Sequence, residues 1–566
     1  MSSLSGLALA GTLALVVHAP KAYAEQNAGA YLAGRFAANH GDYPTAAMYF
    51  EQALMLDPTN AFLAENTIAA MVSTGRIVAA TPLAESARAH GIDSHVATMV
   101  TFADAAEAGK WDRIFAGLEG GASIGPLLDG LAQGWAFVGL GDRRRAESAF
   151  DTVAEESGLA TFGLYHKALA LTVLGDDAAA LEILSLPPQA GLHRTRRGAI
   201  LKAEVLGRLG REAEAIDYLD ATFAGRLDPG LQRLRDALAE GAPAGSVIAT
   251  SAAEGLAEAY FSVGSAIQGQ VDDGYALLYF RLARHLAPAH AEATLRVAGL
   301  LDDMGRHGLA SAAYSTIGPR DPAYQSAALG RAEALRKAGE REAAADLLGT
   351  LCQTYESPRN RARLGDVLRQ LGRFGEANEA YSRSLALSDE DNAARWMVHY
   401  ARGITFEQMG DWDRAEADFR AALALNPGQP QVLNYLGYSL AEKNIKLDEA
   451  LTMIRAAAEA RPEDGRIADS LGWVLFRMGA YEEAVVQLER AAELAPTQSV
   501  VVDHLADAYW AVGRRTEARF QWRRALSFSP AEESAARIRT KLDHGLDLAQ
   551  GGSAPEAVQV AHGDRQ

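Results

Sequence analysis

Small and large apolar positions recur in a fixed arrangement along the C-terminal half of the chain. Gly403, Ala415, Phe419, Ala422 and Pro427 return as Gly472, Ala484, Leu488, Ala491 and Pro496, and again as Ala506, Ala518, Trp522, Ala525 and Pro530. In all three sets the offsets from the first small residue are 12, 16, 19 and 24. A period near 34 residues, with apolar positions three and four apart on either side of a glycine, predicts two short helices per repeat. The first small residue is expected where the second helix crosses the first closely, and the second small residue faces it. A larger side chain at either place would wedge the helices apart, at about 1–3 kcal/mol. Phe419, Leu488 and Trp522 are expected to fill the space between a helix pair and its neighbour. Gly410, Gly479 and Gly513 stand between the helices, where a left-handed residue ends a helix. The closing prolines lack an N–H and stop the second helix.

The first small residues continue through the chain as fourteen anchors: Gly34, Ile68, Phe102, Gly134, Ala168, Ala203, Gly264, Ala298, Ala332, Gly365, Gly403, Gly437, Gly472 and Ala506. The sets at Gly34 and Gly264 are complete, with Ala46, Phe50, Ala53 and Pro58 after one and Ala276, Phe280, Ala283 and Pro288 after the other. Those at Ile68 and Phe102 are degenerate and rest on spacing and on Gly75 and Gly109. A 61-residue interval between Ala203 and Gly264 breaks the period. It holds Asp228-Pro229-Gly230 and the run from Gly241 to Ser246, which are turn and linker residues, with a helix predicted from Leu231 to Glu240. The organisation read from this is a 1–24 signal peptide, a 27–228 repeat array, a 229–250 irregular linker, a 251–530 repeat array, a 531–546 closing helix with a polar outer face, and a disordered 547–566 tail.

This pattern resembles the tetratricopeptide repeat over residues 27–546. The resemblance implies an all-α, right-handed superhelical solenoid of about fourteen helix-turn-helix repeats whose concave groove takes a protein partner. In that family the residues three before and one, four and five after the first small residue face the groove. On this chain those places are Tyr400, Glu407, Asn434, Tyr438, Asp469, Trp473, Phe476, Arg477, Asp503, Asp507 and Trp510. They make an aromatic and acidic surface, and aromatic residues carry much of the energy at interfaces. The competing reading packs Trp473 and Trp510 between successive first helices, where they serve stability alone. Asn434 also fits one place of the family's chaperone-type carboxylate clamp. The partnering lysines are missing, so capture of chaperone tails is not expected.

Four stretches carry a narrower resemblance: Asn434 to Ala441, Leu447 to Ala450, Asp469 to Val474 and His504 to Trp510. They are similar to large bacterial envelope repeat proteins, including those that act as adaptors of a carboxy-terminal processing protease. That resemblance implies a scaffold that holds the protease and its cell-wall hydrolase substrates. The chain departs from it by lacking a lipidated cysteine. An assembly or export factor for an envelope polysaccharide is the alternative, and groove aromatics stack equally well on sugars.

Leu4 to Val17 is an apolar run followed by Ala22-Tyr23-Ala24, with small residues placed for cleavage before Glu25. Export to the periplasm is the expectation, with an inner-membrane anchor formed by residues 4–17 as the alternative. The formal net charge of −18 over 566 residues argues against nucleic acid, whose binders carry basic faces. Arg143 to Arg145 and Arg194 to Arg197 are read as solvated helix starts. The single cysteine, Cys352, makes no internal disulfide or multi-cysteine metal site and is expected in the core.

Catalytic motifs are weak. Gly121-Ala122-Ser123-Ile124-Gly125 has the Gly-x-Ser-x-Gly pattern, but that motif needs a strand before it. His285 and His290 are five apart and do not share a helix face as a ligand pair would. No metal and no cofactor are implied, no catalytic residue is assigned, and no block of sequence is left over for a catalytic domain.

Overall fold

The computed structural model describes residues 19–186, 195–241, 248–389 and 392–546, among which are thirty helices and no strand. Two compact units divide between Leu347 and Leu348. The first unit holds α1 (Ala19–Asn39), α2 (Tyr43–Leu56), α3 (Ala61–Ser73), α4 (Ile77–Ala89), α5 (His95–Glu107), α6 (Asp112–Glu119), α7 (Pro126–Gly139), α8 (Arg143–Glu155), α9 (Ala160–Val173) and α10 (Asp177–Leu184). It continues with α11 (Arg196–Arg208), α12 (Glu212–Thr222), α13 (Pro229–Ala239), α14 (Ala252–Ile267), α15 (Asp273–Leu286), α16 (Ala291–Asp303), α17 (His307–Tyr314) and α18 (Tyr324–Lys337). The division falls inside α19 (Arg341–Thr354). The second unit continues with α20 (Pro358–Gln370), α21 (Phe374–Leu387), α22 (Arg395–Gln408), α23 (Trp412–Leu425), α24 (Pro430–Glu442), α25 (Leu447–Ala460), α26 (Gly465–Arg477), α27 (Tyr481–Leu494), α28 (Ser499–Ala511), α29 (Arg515–Ser527) and α30 (Glu532–His544).

Twenty-eight of these form the fourteen expected pairs, and α13 and α30 stand alone. The markers act through volume. A methyl added at Gly34, Gly134, Gly365 or Gly403 would lie 2.5–2.7 Å from the ring of Phe50, Phe150, Tyr381 or Phe419. Bulk on the second helix therefore requires its absence on the first. The degenerate second repeat obeys the same rule in reverse. Ile68 occupies the anchor, Ala84 stands where the large residue is usual, and both are fully buried. In the third repeat Phe102 takes the anchor and Gly117 gives way to it, since a methyl there would stand 2.9 Å from the Phe102 ring. Between helices, Gly410, Gly479 and Gly513 have φ of 77°, 81° and 84°, the left-handed values their position called for.

Helix starts are fixed by local side chains. Asp142, Ser94 and Asp228 accept from the Arg145, Ala97 and Leu231 amides at 3.0 Å each, contacts that stabilise a helix start by about 1 kcal/mol. Through Asp228 the expected 231–240 helix becomes α13, starting two residues earlier at Pro229. Residues 242–247 of the expected linker lie outside the described residues, as do residues 1–18 and the 547–566 tail. The Ala22-Tyr23-Ala24 segment, expected to precede a cleavage point, falls within α1. No described helix is long and apolar enough to cross a membrane.

The first unit has one continuous core running from Ala30 to Ala334. It therefore spans the 229–250 segment read from sequence as the joint between two arrays. Cys352 is buried, as expected. Ser123 lies in the loop between α6 and α7, where its hydroxyl donates to Asp129 at 2.5 Å; a helix precedes it, not the strand a nucleophile turn needs.

Candidate partner-binding grooves

In a stack of helix pairs, the first helices of successive repeats line the inner face. In the first unit that face is filled by the chain itself. Helix α14 packs against α5, α7 and α9, and α15 packs against α3 and α5. Trp135, one residue after its anchor, is fully buried against Gly255, where any side chain would run into the indole. Its Nε1 donates to His166 Nδ1 at 3.2 Å, and His166 Nε2 meets Ser262 Oγ at 3.1 Å. Burial lowers the His166 pKa to about 4, so the ring is held neutral. The Tyr260 hydroxyl donates to the Met99 carbonyl at 2.9 Å, and Arg281 Nε donates to the Ser73 carbonyl at 3.0 Å.

Glu258 is the centre of this seam. Arg197 donates to both its oxygens, at 2.7 and 2.6 Å, and Tyr165 donates at 2.8 Å. His290 Nε2 stands 3.3 Å away. Burial acts to raise the Glu258 pKa, but the Arg197 charge and hydrogen bonds, with the His290 ring beside them, outweigh it and hold the carboxyl at about 2. This corrects the reading of the 194–197 basic run as solvated for Arg197; Arg194 lies outside the described residues. Thr195 caps α11, Arg196 pairs with Asp228 and Glu292, and Arg197 points into the core. His285, unassigned in sequence, stands 3.1 Å from Glu107.

In the second unit the inner face is built from α20, α22, α24, α26, α28 and α30. The residues read as a groove fall into two sets. Asp469, Trp473, Asp503 and Asp507 are buried. Trp473 is stacked between Phe476 (centroids 5.1 Å) and His504 (4.0 Å), and its indole donates to Glu442. His504 Nδ1 lies 3.0 Å from Asp469; burial acts to lower its pKa, and the Asp469 charge and hydrogen bond raise it. Asp503 and Asp507 share Lys541, at 2.9 and 2.6 Å, and Trp522 Nε1 donates to Asp507 at 2.9 Å. Burial, joined by the Asp503 charge, raises the Asp507 pKa against the pull of Lys541.

The second set is half-buried: Tyr400, Glu407, Asn434, Tyr438, Phe476, Arg477 and Trp510. Tyr400 meets Tyr435 edge-on at 5.7 Å. Arg477 reaches the Glu442 carbonyl at 3.4 Å. Trp510 Nε1 donates to the Leu546 carbonyl at 3.2 Å, and the Arg515 and Arg519 guanidinium groups stand 5.1 and 5.5 Å from its ring. The Asn434 Oδ1 is buried with no hydrogen-bond partner among the described residues.

Sequence reasoning missed Lys541. Helix α30 was read as a closing helix with a polar outer face, and its Glu532, Glu533, Arg539 and Thr540 are indeed exposed. Its inner side continues the repeat by one more first helix, which places Lys541 34 residues after Asp507. Extending the period past Pro530 would have found it. Among the described residues no group of His, Cys, Asp and Glu is arranged to hold a metal ion.

Two family models of the tetratricopeptide repeat match, one at residues 396–429 and the other at 131–187 and 442–499. With the fourteen helix pairs, these matches make the chain a tetratricopeptide-repeat solenoid, a fold that serves as a scaffold for protein–protein interaction. A TPR repeat-containing protein of Pseudomonas aeruginosa is 29% identical over 170 residues, covering 29% of this chain and 28% of the relative. A lipoprotein NlpI homolog of Haemophilus influenzae is 38% identical over 64 residues, 11% of this chain and 20% of the relative. The chain thus matches less than a third of the length of either. Among solved structures, the anaphase-promoting-complex hetero-tetramer Cut9–Hcn1 aligns at 15% identity and a TM-score of 0.37, covering 92% of this chain and 96% of that one. A tetratricopeptide repeat protein from Parabacteroides merdae aligns at 16% identity and a TM-score of 0.37, covering 44% and 97%.

Proposed function

We propose that the protein is a non-enzymatic adaptor that holds an extended segment of a partner protein on the inner face of its second unit, along α22, α24, α26 and α28. The observation that carries this is the difference between the two inner faces. In the first unit that face is occupied by α14 and α15. In the second it keeps Tyr400, Tyr438, Arg477 and Trp510 partly exposed, beside an Asn434 side-chain oxygen that has no partner among the described residues. A buried acceptor without a donor is costly, and a turn of the half-buried Asn434 amide toward the groove would let a backbone N–H of an extended ligand supply one. The groove is held rigid by the Trp473–His504–Asp469 and Asp503–Lys541–Asp507 contacts, which lowers the ordering cost of docking.

The envelope is the proposed location and a carboxy-terminal processing protease with its hydrolase substrates the proposed cargo. Support for the location comes from the apolar Leu4–Val17 run and from the short likeness to a lipoprotein; the cargo rests on the resemblance carried by the Asn434–Ala441, Leu447–Ala450, Asp469–Val474 and His504–Trp510 stretches alone. Two clients on one long scaffold meet at raised effective concentration, which is how an adaptor without chemistry accelerates processing. The test is capture from envelope extract with mild cross-linking and mass spectrometry, comparing the natural chain with Tyr438→Ala. Recovery of a processing protease or cell-wall hydrolase, lost with Tyr438→Ala, is the expected result. Recovery of polysaccharide synthesis or export components alone would replace this reading.

A further inference from the structure

The uncovered face of α1 presents large apolar side chains where other repeats bury the corresponding residue. Phe36, two residues after the Gly34 anchor, is 68% exposed, and Leu32 on the same helix face is 62% exposed. At the place of Phe36, the later repeats carry Ala136, Val205, Leu300, Val367, Val474 and Ala508, all buried. What buries them is the preceding helix pair: Val474 belongs to a core cluster otherwise drawn from α22 to α25. Ala266, in the repeat that follows the lone helix α13, is exposed at this place but offers only a methyl group. Asp104 is half-buried and paired with Arg113. The α1 face is thus a repeat-stacking surface with an aromatic residue at its centre and, among the described residues, no helix on it.

We propose that this face binds the α1 face of a second copy of the chain, forming a twofold dimer. The occupant it fits is a helix with the same ridge of side chains, because the internal repeats cover this face with just such a helix. Head-to-tail stacking onto the other described end is disfavoured. The outward side of α30 carries Glu532, Glu533, Arg539 and Thr540, all exposed; stacking would desolvate the Glu532–Arg539 ion pair and the Glu533 carboxylate against the apolar Phe36 and Leu32 side chains. Head-to-head pairing is self-complementary and stops at two copies. Charge permits it as well. Residues 26–56 hold three charged residues, Arg35, Asp42 and Glu51, in a chain of net charge −18. Two copies therefore meet at a surface nearly free of the repulsion the rest would impose.

The test is sedimentation equilibrium of the full chain at rising concentration, beside Phe36→Glu, Leu32→Glu and a control, Val78→Glu, whose residue is 74% exposed on α4. The expected result is a dimer for the natural chain and the control, and a monomer for both α1 variants with unchanged helical circular dichroism. A natural chain that stays monomeric overturns the proposal. So does a dimer that survives both α1 substitutions, which would point instead to the Leu4–Val17 run. If the charged variants do not fold, Leu32→Cys decides. The other thiol, Cys352, is buried, so a short bismaleimide should give a covalent species of twice the chain mass, and its absence rejects the α1 interface.

Discussion

Arg197 on α11 grips both carboxylate oxygens of Glu258 on α14, at 2.7 and 2.6 Å, across 61 residues of sequence. Glu258 is 1% exposed. A pair this deep returns little net energy, because desolvation offsets attraction, but removing one partner strands a buried charge at a cost of about 3–5 kcal/mol. Arg197→Met is therefore expected to destabilise the first unit by that amount. Glu258→Gln, which keeps shape and a hydrogen-bonding group, should cost less. Hydrogen exchange read separately over α9–α14 and α22–α28 checks this. The second unit's amides should be unmoved by either change.

The two units should respond oppositely to mild acid. His166 is buried and its pKa is depressed to about 4 from the usual 6.5. Between those values the unfolded chain binds a proton that the folded first unit refuses. Stability that is fully present above pH 6.5 is then lost as pH falls toward 4, by up to about 3 kcal/mol. In the second unit, His504 and Asp507 both have raised pKa values. There the folded state binds the extra proton, so stability contributed by these groups is present at low pH and lost as pH rises through their folded values. Exchange protection at pH 4.5 relative to pH 7 should fall in α9 and α14 and hold or rise in α28 and α30. Parallel loss in both units would refute the assignment of these shifts.

The pairing of helices was legible because volume rules are local: Gly403 and Phe419, or Gly134 and Phe150, sit 16 residues apart and declare each other. Even the degenerate repeat at Ile68 could be placed by spacing, and Ala84 explains why it works. The filling of the first groove was not legible. It depends on Gly255 accepting Trp135 and on Glu258 finding Arg197, pairs 120 and 61 residues apart that no period connects. The residues read as a groove lie on the first helices α22, α24, α26 and α28. Which of them face solvent was hidden, because exposure depends on the neighbours' rotamers and on Lys541 arriving from α30.

The volume rule itself can be tested with two glycines of the second unit. A methyl at Gly403 would stand 2.7 Å from Phe419, whose ring is fully buried and has no room to withdraw. Gly403→Ala should destabilise by about 1–3 kcal/mol. Gly349, within α19, has nothing within 4 Å of the same point. Gly349→Ala should stabilise by about 0.5–1 kcal/mol, since alanine loses less entropy in a helix. Urea titrations of the two variants are expected to shift in opposite directions. A loss of stability in both would mean that the anchors matter for reasons other than close approach.

Trp473 and Asn434 separate support from contact within one groove. Trp473 is 8% exposed and stacked on both faces, so Trp473→Ala opens a cavity and should cost about 3–5 kcal/mol. Any loss of partner capture in that variant is expected to track its loss of fold, and cooling should restore part of it. Asn434 is half-buried, and its Oδ1 has no partner to lose. Asn434→Ala removes an unpartnered buried oxygen and should leave the unfolding free energy unchanged or raise it by about 1 kcal/mol. If the amide receives a ligand N–H, the same variant should weaken capture by roughly 0.5–1.5 kcal/mol, about two- to tenfold. Affinity measured against the partner recovered from extract, alongside urea denaturation of each variant, checks both halves. An Asn434→Ala variant that binds as well as the natural chain would remove this residue from the contact and shift the groove's centre toward Tyr438 and Arg477.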